Sequence, residues 1–370
     1  MFLSKNNTLT CTASLKRVDM KILRKAQRKY ENYKTSLMKP IYRVQQRRFD
    51  QRRDEAIKIE DGDLPLLNNV VVLLVYQPRG LSASLFHTLA NIESEGFSAF
   101  VVLNSPITDA DFQQLKEKCA LTMKRQNFGY DFGGYRDAIL HLAASTYNID
   151  SVTCMNDSIW FPVFKDCDHL SKMLKTAGNL VGYSFAAGRG GKKPHLQSYL
   201  FIFKGKEFLK STTFLDYWSK LQISNSRHFT IRNSELKMMN YFKYSGYDIG
   251  WLFSANDLAR HYENSAAHEV IAAVKYLSEI GDPSASAFKD ISDDDVPTQR
   301  RILISGLQSG NLYKSVIGGE PSVIFYSLNF AVMKKSKDFS YQVQRRRSID
   351  CGVYEIFEPS VKHEIIAMNK

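Results

Sequence analysis

The chain has 370 residues, 44% hydrophobic and 24% charged, with 50 Lys+Arg against 38 Asp+Glu and a formal charge of +12. This composition excludes a collagen-like, disulfide-framework or wholly disordered protein, and the length suits one large domain with appendages, or two. The charge is unevenly placed: residues 1–60 hold 16 Lys+Arg against 6 Asp+Glu, which leaves the rest of the chain nearly neutral.

The five cysteines, Cys11, Cys119, Cys154, Cys167 and Cys351, form no CxxC pair. Neither a disulfide scaffold nor a zinc site is expected, and reduced thiols fit. The longest apolar run, residues 70–76, falls far short of the ~20 residues that span a bilayer. Residues 1–14 lack the apolar block of a signal peptide. The expectation is a cytoplasmic protein, at most peripheral on the inner face of the cell membrane.

In chain order, a basic helical arm comes first, over residues 1–60. Leu15, Val18, Ile22, Ala26, Tyr30, Tyr33, Leu37, Ile41 and Val44 recur at helical spacing among Lys and Arg, and Pro40 is expected to break or kink the helix. Such an arm can lie on an anionic bilayer, pack on its own body, or bind nucleic acid. The last is not favoured, because no nucleic-acid motif accompanies the charge.

From residue 66 strands and helices alternate. Residues 70–76 (VVVLLVY) read as a strand buried on both faces. A helix follows at Leu81, Leu85, Leu89 and Ile92, then a strand at 97–103, a helix at 109–118, a strand at 121–125, a helix at 134–147 and a strand at 151–155. This order predicts an α/β fold, a mainly parallel sheet with helices on both faces. Ligands of such sheets bind beyond the carboxyl ends of the strands, which selects the loops at 77–80, 104–108, 126–134 and 156–162. Further on, the pattern predicts a strand at 196–203, a helix at 233–244, a strand at 247–253, and a mostly helical C-terminal region over 255–370. Its acidic stretch Asp293-Asp294-Asp295 reads as a solvated loop rather than a metal cage.

Three clusters carry possible chemistry. In Asn127-Phe128-Gly129-Tyr130-Asp131, a Gly-rich turn at a helix N-terminus lets backbone N–H groups approach a ligand, while Asp131 can bind ribose or base or simply cap the helix. Asn156-Asp157-Ser158 follows a strand directly. Its carboxylate suits Mg²⁺ or Mn²⁺ shared with a diphosphate, or an Asx-turn. The third cluster pairs His195, Gln197 and Ser198 with Glu235, a carboxylate in a first helical turn that the macrodipole favours in any case.

Together the stretches NFGYDFGGYRDAI (127–139), MNDSIWFP (155–162), HLQSYLFIF (195–203) and SELKMMNYFKYSGY (234–247) resemble the rhamnan synthesis protein F-like glycosyltransferases of bacterial polysaccharide assembly. The resemblance spans roughly residues 70–253. It departs at Tyr76-Gln77-Pro78, where the family commonly has a histidine-containing turn. It implies a GT-A-like, Rossmann-type domain over residues 66–254, with a nucleotide-sugar half at 66–165 and an acceptor half at 166–254. By the resemblance Asn127, Gly129, Asp131, Arg136, Asn156 and Ser158 bind the donor. Asp157 takes the place of a metal-binding carboxylate, Glu235 that of the general base, and His195, Gln197 and Ser198 meet the acceptor. A divalent cation, Mg²⁺ or Mn²⁺, is a possible cofactor.

The chemistry fits these residue types. Sugar transfer needs the departing diphosphate stabilised, by a metal or by cations such as Arg136, Lys192 and Lys193. An inverting transfer also needs one carboxylate as base. The expected function is transfer of a sugar, rhamnose or a related deoxyhexose, from a nucleotide-sugar to a polysaccharide or lipid-linked glycan. The alternative is a non-catalytic glycan-binding or scaffolding member of the same fold.

Overall fold

One strand shows how the sheet divides the protein. Along Asn69–Val75, Val71, Leu73 and Val75 enter one apolar layer, and Val70, Val72 and Leu74 enter another on the opposite face. The structure is a computed structural model describing Ala26, Tyr30 and residues 33–188, 193–313 and 315–369. The expectations placed on Cys11, Leu15, Val18, Ile22 and Lys192 lie outside the described residues.

The strands are β1 Ile57–Asp61, β2 Asn69–Val75, β3 Ser98–Leu103, β4 Leu121–Arg125, β5 Ser151–Asn156, β6 Ile159–Trp160, β7 Leu180–Ala186, β8 His195–Leu196, β9 Leu200–Lys204, β10 Ile249–Phe253 and β11 Met333–Lys334. The main sheet runs β1-β4-β3-β2-β5-β9-β7-β10, with β8 beside β7. β4, β3, β2 and β5 are parallel neighbours, as are β7 and β10. β9 lies antiparallel to β5 and β7, and β1 antiparallel to β4. The expected α/β architecture, a large and mostly parallel sheet, is therefore present. Its continuous Val and Leu runs exist because both faces are covered.

The helices are α1 (residues 33–51), α2 Arg53–Ala56, α3 Ala83–Ser94, α4 Asp109–Lys116, α5 Tyr130–Ala144, α6 His169–Lys175, α7 Lys206–Lys210, α8 Thr212–Ser219, α9 Arg227–Asn233, α10 Glu235–Tyr244, α11 Ala255–Asn264, α12 Ala267–Glu279, α13 Val296–Gln308, α14 Phe339–Asp350 and α15 Pro359–Asn369. Leu258, Leu277, Leu303 and Ile365 of the C-terminal helices join the same apolar layer as α3 and β2. The opposite layer holds Phe132, Phe203, Trp218 and Phe242, whose rings meet edge-on and offset. Such contacts add directional preference to area burial.

Several boundaries differ from the sequence expectation. The helix expected at 134 begins at Tyr130, because Gly129 takes a left-handed φ of 82° and ends the turn there. The strand expected over 196–203 is split into β8 and β9 by a turn at 197–199. The helix expected from 233 is two, α9 and α10, broken at Ser234 (φ −109°, ψ −85°). β7 and β1 were not anticipated.

α1 continues through Pro40 without interruption. Its docked face is not the row read from the sequence. Tyr42 packs on Phe229 with centroids 4.9 Å apart, and Phe49 stacks on Phe128 at 4.8 Å. Gln46 bonds both the carbonyl of Leu221 and the N–H of Ile223. Tyr33, Leu37, Ile41 and Val44 remain exposed. No described helix is long and apolar enough to cross a membrane.

Candidate functional site

The four loops selected by the strand-end argument converge on one cavity of about 1000 Å³. Its wall includes Gln77 and Arg79 after β2, Asn104 after β3, Asn127, Tyr130 and Asp131 after β4, and Asn156, Asp157 and Ser158 at the end of β5. Gln197, Ser198, Arg227 and Glu235 close the other side. The volume is at the upper end of typical small-ligand sites.

The turn leading into α5 is held from below. Arg125, buried at the end of β4, donates to Asp137 at 3.0 Å, to Asn104 Oδ1 at 2.6 Å and to the Phe128 carbonyl at 2.7 Å. Glycine is needed beside it, since a Cβ on Gly133 would lie 2.0 Å from the Phe128 carbonyl oxygen. The next residue along from Gly129 is bulky, yet Tyr130 is held at φ 52°. A non-glycine residue in that region carries local strain, and such strain concentrates at functional sites. The Tyr130 hydroxyl donates to the Asn225 carbonyl at 3.0 Å.

Asp131, Asn156 and Ser158 form a connected relay. Asn156 Nδ2 donates to Asp131 Oδ2 at 2.8 Å, and its Oδ1 accepts from the Ser158 hydroxyl at 2.6 Å. Lys334 Nζ donates in turn to Ser158 Oγ at 3.3 Å. Asp157 Oδ2 accepts the backbone N–H of Tyr76 at 2.9 Å, which pins the loop after β2. Burial, with Asp157 next in importance, pushes the Asp131 carboxyl up to about 6. Burial also raises Asp157, against the Tyr76 hydrogen bond and the charge of Lys335.

Glu235 sits at the first position of α10, its Oε1 3.9 Å from His195 Nε2. His195 itself faces an adjoining cavity of about 880 Å³, and Gln197 lines both. Two of the expected donor residues lie elsewhere. Arg136 is buried and its Nη1 pairs with Asp50 of α1 at 2.7 Å, so it fastens the arm to α5. Gly129 shapes the turn while Asn127, Tyr130 and Asp131 reach the cavity.

The residues that sequence reasoning missed come largely from the C-terminal region. β11 pairs antiparallel with β6, Met333 opposite Trp160 and Lys334 opposite Ile159. Lys334, Lys335 and Lys337 thereby enter the cavity wall beside Asp157 and Ser158. Glu364 of α15 accepts from Trp160 Nε1 at 2.7 Å and from the Ser84 N–H at 2.9 Å, and it pairs with Lys335 at 3.5 Å. Burial would raise this carboxyl, but Lys335 and those donors outweigh it and hold it low. The signal available in the sequence was Lys334-Lys335-Ser336-Lys337, a cationic run directly after apolar residues in an otherwise neutral body.

A divalent cation fits this donor set poorly. Among the described residues no three His, Cys, Asp or Glu side chains stand close enough together to hold one ion. Asn156 and Ser158 spend their polar atoms on each other and on Asp131, Asp157 holds a backbone N–H, and ammonium groups stand alongside. Mg²⁺ and Mn²⁺ prefer several oxygen ligands free to point at the ion.

Known proteins are similar to this chain in sequence. It is 31% identical to the uncharacterized protein y4gN of Sinorhizobium fredii over 323 residues, covering 86% of this chain and 84% of that one. It is 29% identical to the virulence protein VirA of Vibrio anguillarum over 135 residues, 36% of this chain and 42% of that protein. Among solved structures, a Desulfovibrio desulfuricans protein assigned as a nucleotide-diphospho-sugar transferase overlaps at 12% identity and a TM-score of 0.30, covering 65% of this chain and 99% of the other. That overlap has no bearing on activity. The family described as rhamnan synthesis protein F matches residues 99–277, a stretch running from β3 to α12 and including Asp131, Asn156, Asp157, Gln197 and Glu235. The chain belongs to the rhamnan synthesis protein F family.

Proposed function

We propose that this protein is a glycosyltransferase that moves a sugar, rhamnose or a related deoxyhexose, from a nucleotide-sugar to a growing polysaccharide or lipid-linked glycan. The observation that carries the reading is the cavity of about 1000 Å³ on which all four strand-end loops converge. It brings together Asp131 and Asn127 for the nucleotide, cationic side chains for the diphosphate, and Glu235 for the acceptor. The family's role in rhamnan synthesis supports a sugar as the transferred group.

The residue types match the steps of such a transfer. Tyr76 and Tyr130, both exposed at the cavity, offer rings for a nucleobase. An acceptor enters from the neighbouring cavity past Gln197, with His195 beside the path. Its hydroxyl oxygen attacks the anomeric carbon and its proton passes to Glu235. The bond from that carbon to the diphosphate oxygen breaks, and the electron pair stays on the diphosphate. The arm belongs to the same reading. Exposed Tyr33, Leu37, Ile41 and Val44, beside exposed Lys34, Arg43, Arg47 and Arg48, suit an anionic bilayer surface on which lipid-linked acceptors lie.

The test is release of nucleoside diphosphate and transfer of label from UDP- and dTDP-sugars to glycan acceptors. Turnover of at least one donor is the expected result. Glycan binding with no turnover of any donor would identify a non-catalytic scaffold instead.

A further inference from the structure

Beside Asp157 and Ser158 in the cavity wall, the chain has placed two ammonium groups. The β11–β6 pairing sets them there: Lys334 Nζ lies 3.3 Å from Ser158 Oγ and 4.5 Å from the Tyr199 ring centroid. Lys335 Nζ lies 2.9 Å from Ser84 Oγ and 3.5 Å from Glu364. Resting on the sugar-transfer reading above, we propose that Lys334 and Lys335 hold the departing diphosphate and make this transferase independent of a divalent cation.

Three observations support it. The charge is right, since two ammonium groups supply the two positive charges that a bound Mg²⁺ or Mn²⁺ supplies elsewhere. The geometry is fixed beforehand. Lys335 is held by Glu364, itself anchored to Trp160 and Ser84, and preorganised cations act without reorganising at the moment of bond breaking. Glu364 is therefore a positioning residue.

Lys334, finally, is short of counter-charge. Poor solvation holds its ammonium down, to about 8, although Glu235 and Asp131 pull the other way. An arriving diphosphate supplies the missing negative charge. In the transfer itself, the electron pair left on the diphosphate oxygen is met by these two ammonium groups, while the acceptor proton goes to Glu235.

The experiment is calorimetric titration of UDP and of dTDP into the full chain, in excess EDTA and then with Mn²⁺ or Mg²⁺. At least one nucleotide is expected to bind in EDTA, with a Kd that moves by less than about three-fold when the cation is added, because the charge is already present. Lys334→Gln should weaken binding about ten-fold or more and Lys334→Arg should restore most of it, both with an unchanged melting temperature. Binding that requires the cation, or Lys334→Gln binding like the unaltered chain, overturns the proposal and leaves the transferase reading standing. Failure of both nucleotides under every condition overturns the two together.

Discussion

Asn156 reaches from the end of β5 to the start of α5 and donates its amide to Asp131 at 2.8 Å. Its carbonyl oxygen is already taken by Ser158, so the amide has one orientation available and cannot turn. An aspartate at this position would set a second carboxylate against Asp131, whose burial already disfavours its charge. The pair explains why this strand end carries an amide beside a single acid.

Asp131 should therefore trade stability for binding. Its carboxyl is raised in the folded state, to about 6. The stabilisation linked to its proton is complete below the ordinary carboxylate range near 4 and lost as pH rises through about 6. At pH 7 the ionised group is a liability, which Asp131→Asn removes. The variant should melt a few degrees higher than the unaltered chain at pH 7, show little difference at pH 4, and bind nucleotide more weakly. Calorimetric melts at the two pH values, with titration of UDP and dTDP, check the sign.

Glu235→Gln should separate chemistry from binding. The amide keeps the shape of the side chain beside His195 but accepts no proton, so single-turnover transfer should fall by about 10²–10⁴-fold, as expected for loss of a general base. Nucleotide affinity should stay within about two-fold, because in the proposed transfer Glu235 meets the acceptor rather than the donor. An active glutamine variant would remove Glu235 from this role.

Buried Arg125 carries the turn that presents Asn127 and Asp131. Replacing it with Met leaves Asp137 with the more distant Arg53, 3.5 Å away, and orphans the Phe128 carbonyl. The expected cost is about 3–5 kcal/mol in urea denaturation, the usual penalty for leaving a buried charge uncompensated. A double variant removing Asp137 as well should recover part of that loss.

The arm gives a prediction that stability should not feel. Tyr33→Ser, Leu37→Ser, Ile41→Ser and Val44→Ser combined strip the exposed row of α1. Co-sedimentation with anionic liposomes should drop by about ten-fold or more, each buried apolar group contributing on the order of 1 kcal/mol. The melting temperature should hold. Phe49→Ala, on the docked face, should do the reverse.

Much of the site was legible because it is local. Asn127, Asp131, Asn156, Asp157 and Ser158 each follow directly from a strand whose hydrophobic run is unmistakable, and strand ends of a parallel sheet share one edge. Glu235 and Gln197 were legible by family likeness, the former despite a helix boundary misread by two residues. Lys334 was not legible, because what brings it to Ser158 is a pairing of two-residue strands across more than 170 positions, and so short a ladder leaves no periodicity; Glu364 reaches Trp160 from α15, a helix that packs on α3 far away in sequence. Arg136 was misread for the opposite reason. It stands in the right motif, but α5 turns it to the layer where Asp50 waits. The exposed row of α1 shows the same limit: periodicity finds a stripe, and only packing says which stripe is buried.

The clasp of β11 on β6 has a consequence for how the protein comes into being. The sheet, the Gly-rich turn and Glu235 are all complete by residue 253, yet the cations that face Ser158 and the acid that steadies them arrive at positions 334, 335 and 364. On the ribosome the pocket is assembled from its floor upwards, and its charge is reversed last. A chain stopped before residue 333 would hold Asp131, Asp157 and Glu235 with Arg79 and Arg227 but without the three lysines, and under the proposed sugar transfer it should bind a diphosphate less well than the finished one.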